Sequence, residues 1–452
     1  MKTVITYGVF DLFHEGHIRL LERARALGDK LIVGVTTDQY AIERGKLCVV
    51  DPLDVRMKNV RSCPCVDEVI VEDHPGQKLE DIRRLHADIL AMGDDWFGKF
   101  DVLKPFCQVV YLPRTPNISS SLLRNNRYPF LRLGLIGAGR IADRFMKEVG
   151  FVPGIVVPCV YHPAPDGSLS LQSFLSRHTS VRKVRTVEKL FDETDAVYIA
   201  SPHDSHYAYA KAALEAGRHV LCEKPLCFSR KQAETLFEIA DKNGLVLMEA
   251  LKTAYCPGFI RLCAVAQSGF IGDIVNVESC FTKLTPPGLR EWNDHTYGGS
   301  FTELGSYILL PIVKLLGTER TNVLFQSVRN ADGLDIFTKV ILQKEGCLAS
   351  GRCGLGAKAE GDLVISGTKG YIYAEAPWWR TAGFEIRTEN PADAKRFSCT
   401  YEGDGLRYEI ADFLYRTQGH PGRETRLTPE ESIWMADVME RFLAERFRKE
   451  RA

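Results

Sequence analysis

No apolar run in this 452-residue chain reaches the roughly 18 residues that a membrane helix needs. The opening MKTVITYGVFDLF lacks the basic region and long apolar stretch of a secretory signal. Neither a membrane partner nor export is expected. Charge of one sign is lacking too: 58 basic and 58 acidic residues cancel, which leaves no bulk electrostatic case for nucleic acid or an anionic membrane surface. Paired CxxC clusters are missing although there are 13 cysteines, an odd and scattered number in which Cys63 and Cys65 are merely close. They read as reduced thiols of a cytoplasmic protein, mostly filling cores. There is no internal repeat, heptad run or low-complexity tract. What is present, 45% hydrophobic and 26% charged residues, is the profile of a globular protein. At roughly 100–200 residues per domain, the length predicts two to four domains.

A strand-turn-helix beginning occurs twice, at KTVITYGVFDLFHEGH from residue 2 and at FLRLGLIGAGRIADRF from residue 130. Each couples a short apolar run to a glycine-containing turn and then a helical pattern, which is how a nucleotide-binding α/β unit starts. Between them RNNRYP (124–129) is polar, ends in proline and reads as a linker. The chain therefore divides into 1–128, 129–253 and 254–452. In the first part KLIVGVTT, DEVIVE, ADILAMG and QVVYLPR alternate with the helical patterns PLDVRMKNVRSC and KLEDIRRLH. That order predicts a doubly wound parallel α/β sheet with its ligand at the carboxyl ends of the strands.

His14 and His17 stand at i and i+3, on one face of a first helical turn. A helix N-terminus offers unpaired N–H groups and the positive end of the dipole. Two imidazoles add donors for phosphate oxygens, and Gly16 permits close backbone approach. Such a site suits phosphoryl or nucleotidyl transfer, where positioning and charge neutralisation do the work. The HxxH pattern alone is equally open to a surface pair or half of a metal site, although no third ligand cluster stands out.

GVFDLFHEGH (8–17), MGDDWFGKFD (92–101) and RTPNISSS (114–121) together resemble the glycerol-3-phosphate cytidylyltransferase family, over essentially residues 1–124. The resemblance implies that CTP is joined to a phosphorylated alcohol with release of pyrophosphate. It implies that His14 and His17 hold the CTP phosphates, with Gly8 and Phe10 on the nucleotide side. Arg114, Thr115, Ser119 and Ser120 would grip the triphosphate, Lys46 of ERGK would bind phosphate, and Arg56 would meet the incoming phosphomonoester. Asp94 and Trp96 would recognise the nucleotide, and Asp11 would order the loop or a metal. Magnesium is expected with CTP, held mainly by the phosphates rather than by a protein cage. Asn117 stands where the family usually has glycine; asparagine tolerates left-handed backbone. The stretch LCVVDPLD also departs from the pattern, which leaves glycerol phosphate insecure as the acceptor.

The second beginning contains Gly137-x-Gly139-x-x-Ala142 directly after a strand, the arrangement that brings a dinucleotide pyrophosphate to a helix N-terminus. The next strand, IVVPCVYHP, ends in Tyr161 and His162 with no carboxylate to claim a ribose 2′-hydroxyl, so NADP is permitted and NAD is not excluded. With DAVYIASPHDSHYAYAKAALEAGRHVLCEKPLCFS (195–229), this resembles the Gfo/Idh/MocA oxidoreductase family across 131–452. The resemblance implies a Rossmann domain followed by a mostly antiparallel α+β sheet domain. Gly137, Gly139, Arg140, Ile141, Pro202, His206 and Glu223 would lie at the NAD(P) site, and Lys224 would be both a cofactor neighbour and the catalytic lysine. Where the family usually has an acid and a histidine four residues on, GGSFTELGSYILL has Glu303 and Tyr307. Lys224 and Tyr307 are the expected catalytic pair, with Glu303 secondary; a packed helix tyrosine is the plainer alternative for Tyr307. Lys252, Tyr255, Trp292, His295 and Tyr297 are candidates to face substrate or simply to pack. TPEESIW near the C-terminus is a capping box, Thr428-x-x-Glu431, opening a last helix.

Two such halves on one chain suggest consecutive steps. The expectation is an NADPH- or NADH-dependent reduction of a pentose or hexose ketose phosphate, such as ribulose 5-phosphate or fructose 6-phosphate, and then coupling of the polyol phosphate to CTP. CDP-polyols feed capsular or teichoic-acid-like polymers. The rivals are reduction of a CDP-sugar after coupling, a C-terminal part that only binds cofactor, and a non-enzymatic adaptor. The expected partners are small molecules, and both resemblances imply a homo-oligomer.

Overall fold

The computed structural model describes residues 2–11, 13, 15–43, 49, 51–113, 130–163, 168–319, 322–422 and 425–450. It separates into two units, Met1–Phe130 and Leu131–Ala452. Among the described residues, no helix is long and apolar enough to cross a membrane.

In the first unit, β1 (Thr3–Gly8), β2 (Lys30–Thr36), β3 (Glu68–Glu72), β4 (Ile89–Gly93) and β5 (Gln108–Leu112) form one sheet of order β3-β2-β1-β4-β5. Every pairing in it is parallel. The strands are short apolar runs because helices cover both faces. Val4, Leu31, Val33 and Ile89 pack on one face with Leu21 and Ala24 of α1 (Glu15–Arg25) and Val60 of α3 (Leu53–Arg61). Ile5, Ile32, Leu90 and Met92 pack on the other with Ile82 of α4 (Gln77–Arg84). A short helix α2 (Asp38–Glu43), not evident from periodicity, follows β2. The strand order reverses between β1 and β4, so the crevice at their carboxyl ends is where a doubly wound sheet takes its ligand.

The second unit holds two sheets. The first has the order β12-β11-β10-β6-β8-β9, with β6 at Leu131–Ile136, β9 at Arg182–Val184, β10 at Ala196–Ile199, β11 at His219–Glu223 and β12 at Leu247–Ala250. The run IVVPCVYHP, expected as one strand, forms two pieces, β7 (Ile155–Val156) and β8 (Cys159–Tyr161). Pro158 lies in the break and cannot donate to the ladder. The second sheet has eight strands in the order β14 (Asn322–Arg329), β15 (Asp335–Lys344), β16 (Cys347–Gly354), β13 (Ile274–Thr282), β17 (Leu363–Gly367), β18 (Tyr371–Ala374), β19 (Gly383–Arg387) and β20 (Lys395–Ser398), antiparallel except where β13 runs parallel to β16. Leu133, Phe145 and Tyr198 of the first layer share a buried core with Val277, Phe301 and Ile365 around the second.

One helix, Ser300–Leu316, lies between these layers and is buried on nearly all sides, including Phe301, Ile308 and Leu309. It sits close to the sheet because Gly351 has no side chain; a Cβ there would stand 2.8 Å from Ile308 Cδ1. Pro311 deprives the Tyr307 carbonyl of its usual helical donor, and the Ser279 hydroxyl donates to the next carbonyl, Ile308 O, at 2.8 Å. The last helix, Pro429–Glu450, opens on the predicted capping box: Thr428 N donates to Glu431 Oε2 at 2.9 Å and Glu431 N to Thr428 Oγ1 at 3.4 Å.

Candidate functional sites

At the crevice of the first unit, β1 ends in Gly8, and Phe10 follows with φ 53° and its ring buried. His17, in the first turns of α1, is held between two rings. Phe10 meets it edge-on at 5.4 Å and Phe13 stacks on it at 5.7 Å. This fixes the imidazole plane before any ligand arrives. Asp11 is fully buried, and its carboxylate accepts from Asp51 N at 3.0 Å, which ties the end of β1 to the entry of α3. Asp94 and Trp96 form a 3₁₀ turn directly after β4, across the switch point from β1. The expected His14, Lys46, Arg114, Thr115, Ser119 and Ser120, and the substituted Asn117, lie outside the described residues.

Arg56 is placed differently from expectation. Its side chain is wholly buried and its guanidinium is already occupied. Nε donates to Asp51 O at 2.9 Å, and one terminal nitrogen to Val9 O at 2.6 Å and Thr36 O at 2.8 Å; the other pairs with Asp38. It ties the ends of β1 and β2 to α3 rather than presenting a cation to a phosphate. Arg56→Ala is expected to lower stability by about 3 kcal/mol or more, because the buried Thr36 carbonyl and the part-buried Val9 and Asp51 carbonyls lose their donor. Urea unfolding read at the first transition checks this. If Arg56→Lys unfolds like wild type and raises only the KM for the phosphorylated acceptor, the direct phosphate role stands instead.

One group at the same edge was missed. Lys78 pairs with Glu72, the last residue of β3, and lies 4.4 Å over the Tyr7 ring. Thr36 Oγ1 donates to Glu72 Oε2 at 2.6 Å, and the Tyr7 hydroxyl to Asp81 Oδ2 at 3.0 Å. Burial, and then Asp81, push the Tyr7 phenol well up. No spacing rule links these residues; three strand ends and a helix bring them together.

In the second unit, Gly137 has φ 107°, and a Cβ there would lie 2.4 Å from Ala200 O, so only glycine fits. Gly139 caps the helix Arg140–Val149, and a Cβ added to it would meet open space. An extended glycine and a helix N-terminus facing open space fit a dinucleotide pyrophosphate. Pro202 and His203 follow β10, and Lys224 follows β11, so both stand at the carboxyl edge that takes the ligand.

The chemistry-bearing groups converge on Glu303. Lys224 Nζ donates to the Glu303 carbonyl at 2.9 Å and lies 3.7 Å from its Oε2. His203 Nε2 is 2.9 Å from Glu303 Oε1, which Arg290 also pairs with. Burial alone would raise this carboxyl, but His203, Lys224 and Arg290 outweigh it and hold it well below the usual range. Burial pulls the His203 imidazole down despite the carboxylate. Tyr307 lies one turn further along the helix, with Phe281 edge-on at 5.0 Å. Burial, with Glu223 and Glu409 nearby, keeps its phenol protonated. Glu223 is itself buried and accepts from the Tyr198 hydroxyl at 2.5 Å.

His206 is placed differently from expectation, and the residues left open between substrate and packing have partners within the fold. His206 is fully buried between Pro225 O at 2.8 Å and Ser201 O at 3.0 Å, and burial draws it down to about 3, so it shapes the loop rather than facing cofactor. Tyr255 is buried and donates to Glu249 O, and Lys252 donates to Asp404 O; both serve packing. Trp292 Nε1 is spent on Thr285 O at 3.0 Å. His295 offers its carbonyl to Arg446, and Tyr297 stacks on Phe228 at 4.5 Å. Ile141 packs against the core, and Arg140, at the head of the helix that the glycine turn opens, pairs with Glu291 while its side chain stays exposed. Reading the residues alone missed His203 and Arg290. SPHDSH holds two histidines, and only the fold shows which one turns toward Glu303.

The cytidylyltransferase-like family model matches residues 5–126, the oxidoreductase-family NAD-binding Rossmann model 131–251, and the GFO/IDH/MocA C-terminal model 259–373. Glycerol-3-phosphate cytidylyltransferase of Bacillus spizizenii is 47% identical over 126 residues, covering 28% of this chain and 97% of that one. Trans-1,2-dihydrobenzene-1,2-diol dehydrogenase of Bos taurus is 29% identical over 320 residues, covering 69% and 95%. KijD10, a 3-ketoreductase from Actinomadura kijaniata solved with TDP-benzene and NADP, shares the fold of the second unit with a TM-score of 0.59 at 24% identity, covering 69% and 96%. The chain belongs to the cytidylyltransferase-like family through its first unit and to the GFO/IDH/MocA oxidoreductases through its second. It is a cytidylyltransferase fused to an NAD-binding oxidoreductase.

Proposed function

We propose that the chain makes a CDP-polyol in two steps, with 129–253 and 254–452 reducing a ketose phosphate and 1–128 coupling the product to CTP. The observation that carries this is the fusion itself: a cytidylyltransferase requires a phosphorylated alcohol, and a ketone reductase makes an alcohol. A pentose or hexose phosphate, such as ribulose 5-phosphate or fructose 6-phosphate, is the substrate class.

The turn at Gly137 and Gly139 and the N-terminus of Arg140–Val149 would hold the nicotinamide cofactor, NADPH or NADH, which when bound would supply the hydride for the carbonyl carbon. Tyr307 gives its phenolic proton to the carbonyl oxygen as that oxygen gains charge, and Lys224 polarises it. Glu303 fixes the Lys224 ammonium through its carbonyl and carboxylate, and Arg290 and His203 keep that carboxylate ionised and in place. In the first unit, a phosphate oxygen of the polyol phosphate attacks the α-phosphorus of Mg–CTP and pyrophosphate leaves. His17 and His14 stabilise the charge on the transferring phosphorus, with Lys46, Arg114, Thr115, Ser119 and Ser120 as triphosphate ligands. Gly8, Phe10, Asp94 and Trp96 border the nucleotide. A cytoplasmic homo-oligomer supplying capsular or teichoic-acid-like polymer synthesis is the setting this implies.

The test is isotopic. With Mg–CTP, a ketose phosphate and NADPH deuterated at the nicotinamide, the expected product is a CDP-polyol carrying one deuterium at the new carbinol carbon. A second reading, reduction after coupling, draws on KijD10, whose structure holds a nucleotide-linked compound; deuterium entering only a preformed CDP-sugar would establish it.

A further inference from the structure

The short helix Arg290–Asn293 carries neighbours that face two sites. Arg290 pairs with Glu303 beside Lys224, while Glu291 Oε1 accepts from an Arg140 terminal nitrogen at 2.7 Å. Arg140 is the first residue of the helix that the dinucleotide turn opens. The two partners are unequal: the Arg140 side chain is 65% exposed and that of Glu291 only 9%. The second Glu291 oxygen, Oε2, is buried without a hydrogen-bond partner.

The Glu291 backbone is not free to follow. Gly299 N donates to Glu291 O at 3.0 Å and Gly298 N to Asp294 O at 2.7 Å. Side chains are excluded from both glycines, since a Cβ would stand 2.4 Å from Asp294 O at one and 2.1 Å from Asp335 Oδ1 at the other. The buried Arg446, from the last helix, clamps His295 O at 2.6 Å and Gly298 O at 3.0 Å. Of the two ion-pair partners, only Arg140 has room to leave.

We propose that Glu291 is a positioning residue that competes with the cofactor's phosphates for Arg140, setting nicotinamide-cofactor affinity below what the turn alone would give and linking cofactor entry to Glu303 through Arg290. An anion arriving at the helix N-terminus draws the exposed guanidinium from Glu291 and leaves a carboxylate buried and unpaired, an unfavourable state. That opposition to tight binding favours cofactor release after hydride transfer, a step that limits turnover in many enzymes. The inference rests on reading the second unit as a nicotinamide-dependent reductase.

The experiment is equilibrium binding of NADPH and of NADH to the full chain, read by nucleotide fluorescence, for wild type, Glu291→Gln, Arg140→Gln and the double variant. Glu291→Gln is expected to tighten binding about 3- to 10-fold, with both cofactors alike if Arg140 meets the pyrophosphate and with NADPH alone if it meets a 2′-phosphate. Arg140→Gln weakens binding, and in its background Glu291→Gln has no further effect, a non-additivity that a merely structural glutamate would not produce. Unchanged or weaker binding by Glu291→Gln, with the second unit's urea unfolding midpoint at the wild-type value to show that this unit is folded, overturns the inference. A wild-type chain that binds neither cofactor overturns the reductase reading on which it rests.

Discussion

Lys224→Ala abolishes ketone reduction, lowering nicotinamide oxidation by about 10³-fold or more, while CTP-dependent pyrophosphate release from a preformed polyol phosphate continues at the wild-type rate. The size follows from what the ammonium does. It stands at the carboxyl end of β11 with its side chain 15% exposed, and it is anchored to the Glu303 carbonyl and carboxylate. A preorganised charge aimed at a developing alkoxide in a water-poor site, acting with a positioned proton donor, is worth a factor of this order. Tyr307→Phe keeps the ring packed on Phe281 and removes the hydroxyl that would donate the proton; a loss of about 10²-fold is expected with cofactor binding unchanged. Reduction within tenfold of wild type in Lys224→Ala, measured by nicotinamide absorbance, would make the lysine structural and return the proton and polarising roles to other groups.

The complementary result concerns the first unit. His17→Phe retains the aromatic packing between Phe10 and Phe13 and removes both ring nitrogens, so the fold is expected to persist while cytidylyl transfer falls by about 10²- to 10⁴-fold. Reduction by the second unit is unaffected. Pyrophosphate release is the readout, with nicotinamide oxidation in the same sample as the internal control. If His17→Phe releases pyrophosphate normally, the HxxH pair is a packing feature of α1. The two variants together separate the halves of the chain by chemistry rather than by truncation.

Local pattern made the layers legible. Short apolar runs between helical patterns marked β1 to β6, and strand-like runs separated by turn residues, such as IVNVESCFTK and FTKVILQKEG, mark larger strands of the second sheet. The dinucleotide turn was readable because Gly137 answers a backbone constraint that no other residue meets. β18, β19 and β20 were not read, since YIYA, GFEIR and KRFS are too short for periodicity to separate from loops. The break at Pro158 was visible as a proline inside a strand pattern and was passed over.

Side-chain roles were legible only where a motif placed the residue against backbone. Arg56 and His206 each looked like a ligand group by type and position. Both are consumed by backbone carbonyls, a fact of long-range packing that spacing does not encode. His203 and Arg290 reach Glu303 across 100 and 13 residues, and neither belongs to a pattern with it. Glu303 and Tyr307 shared a helix and were found together for that reason.

The measurement that tests the central claim is a parallel assay of the intact chain with Mg–CTP, NADPH or NADH and a panel of ketose phosphates, following nicotinamide absorbance and pyrophosphate together. One ketose phosphate is expected to oxidise the nicotinamide without CTP, and pyrophosphate is expected to appear only after CTP is added to that mixture. Pyrophosphate from preformed polyol phosphates with no ketose phosphate reduced would contradict that claim, and would leave the second unit with another substrate or none.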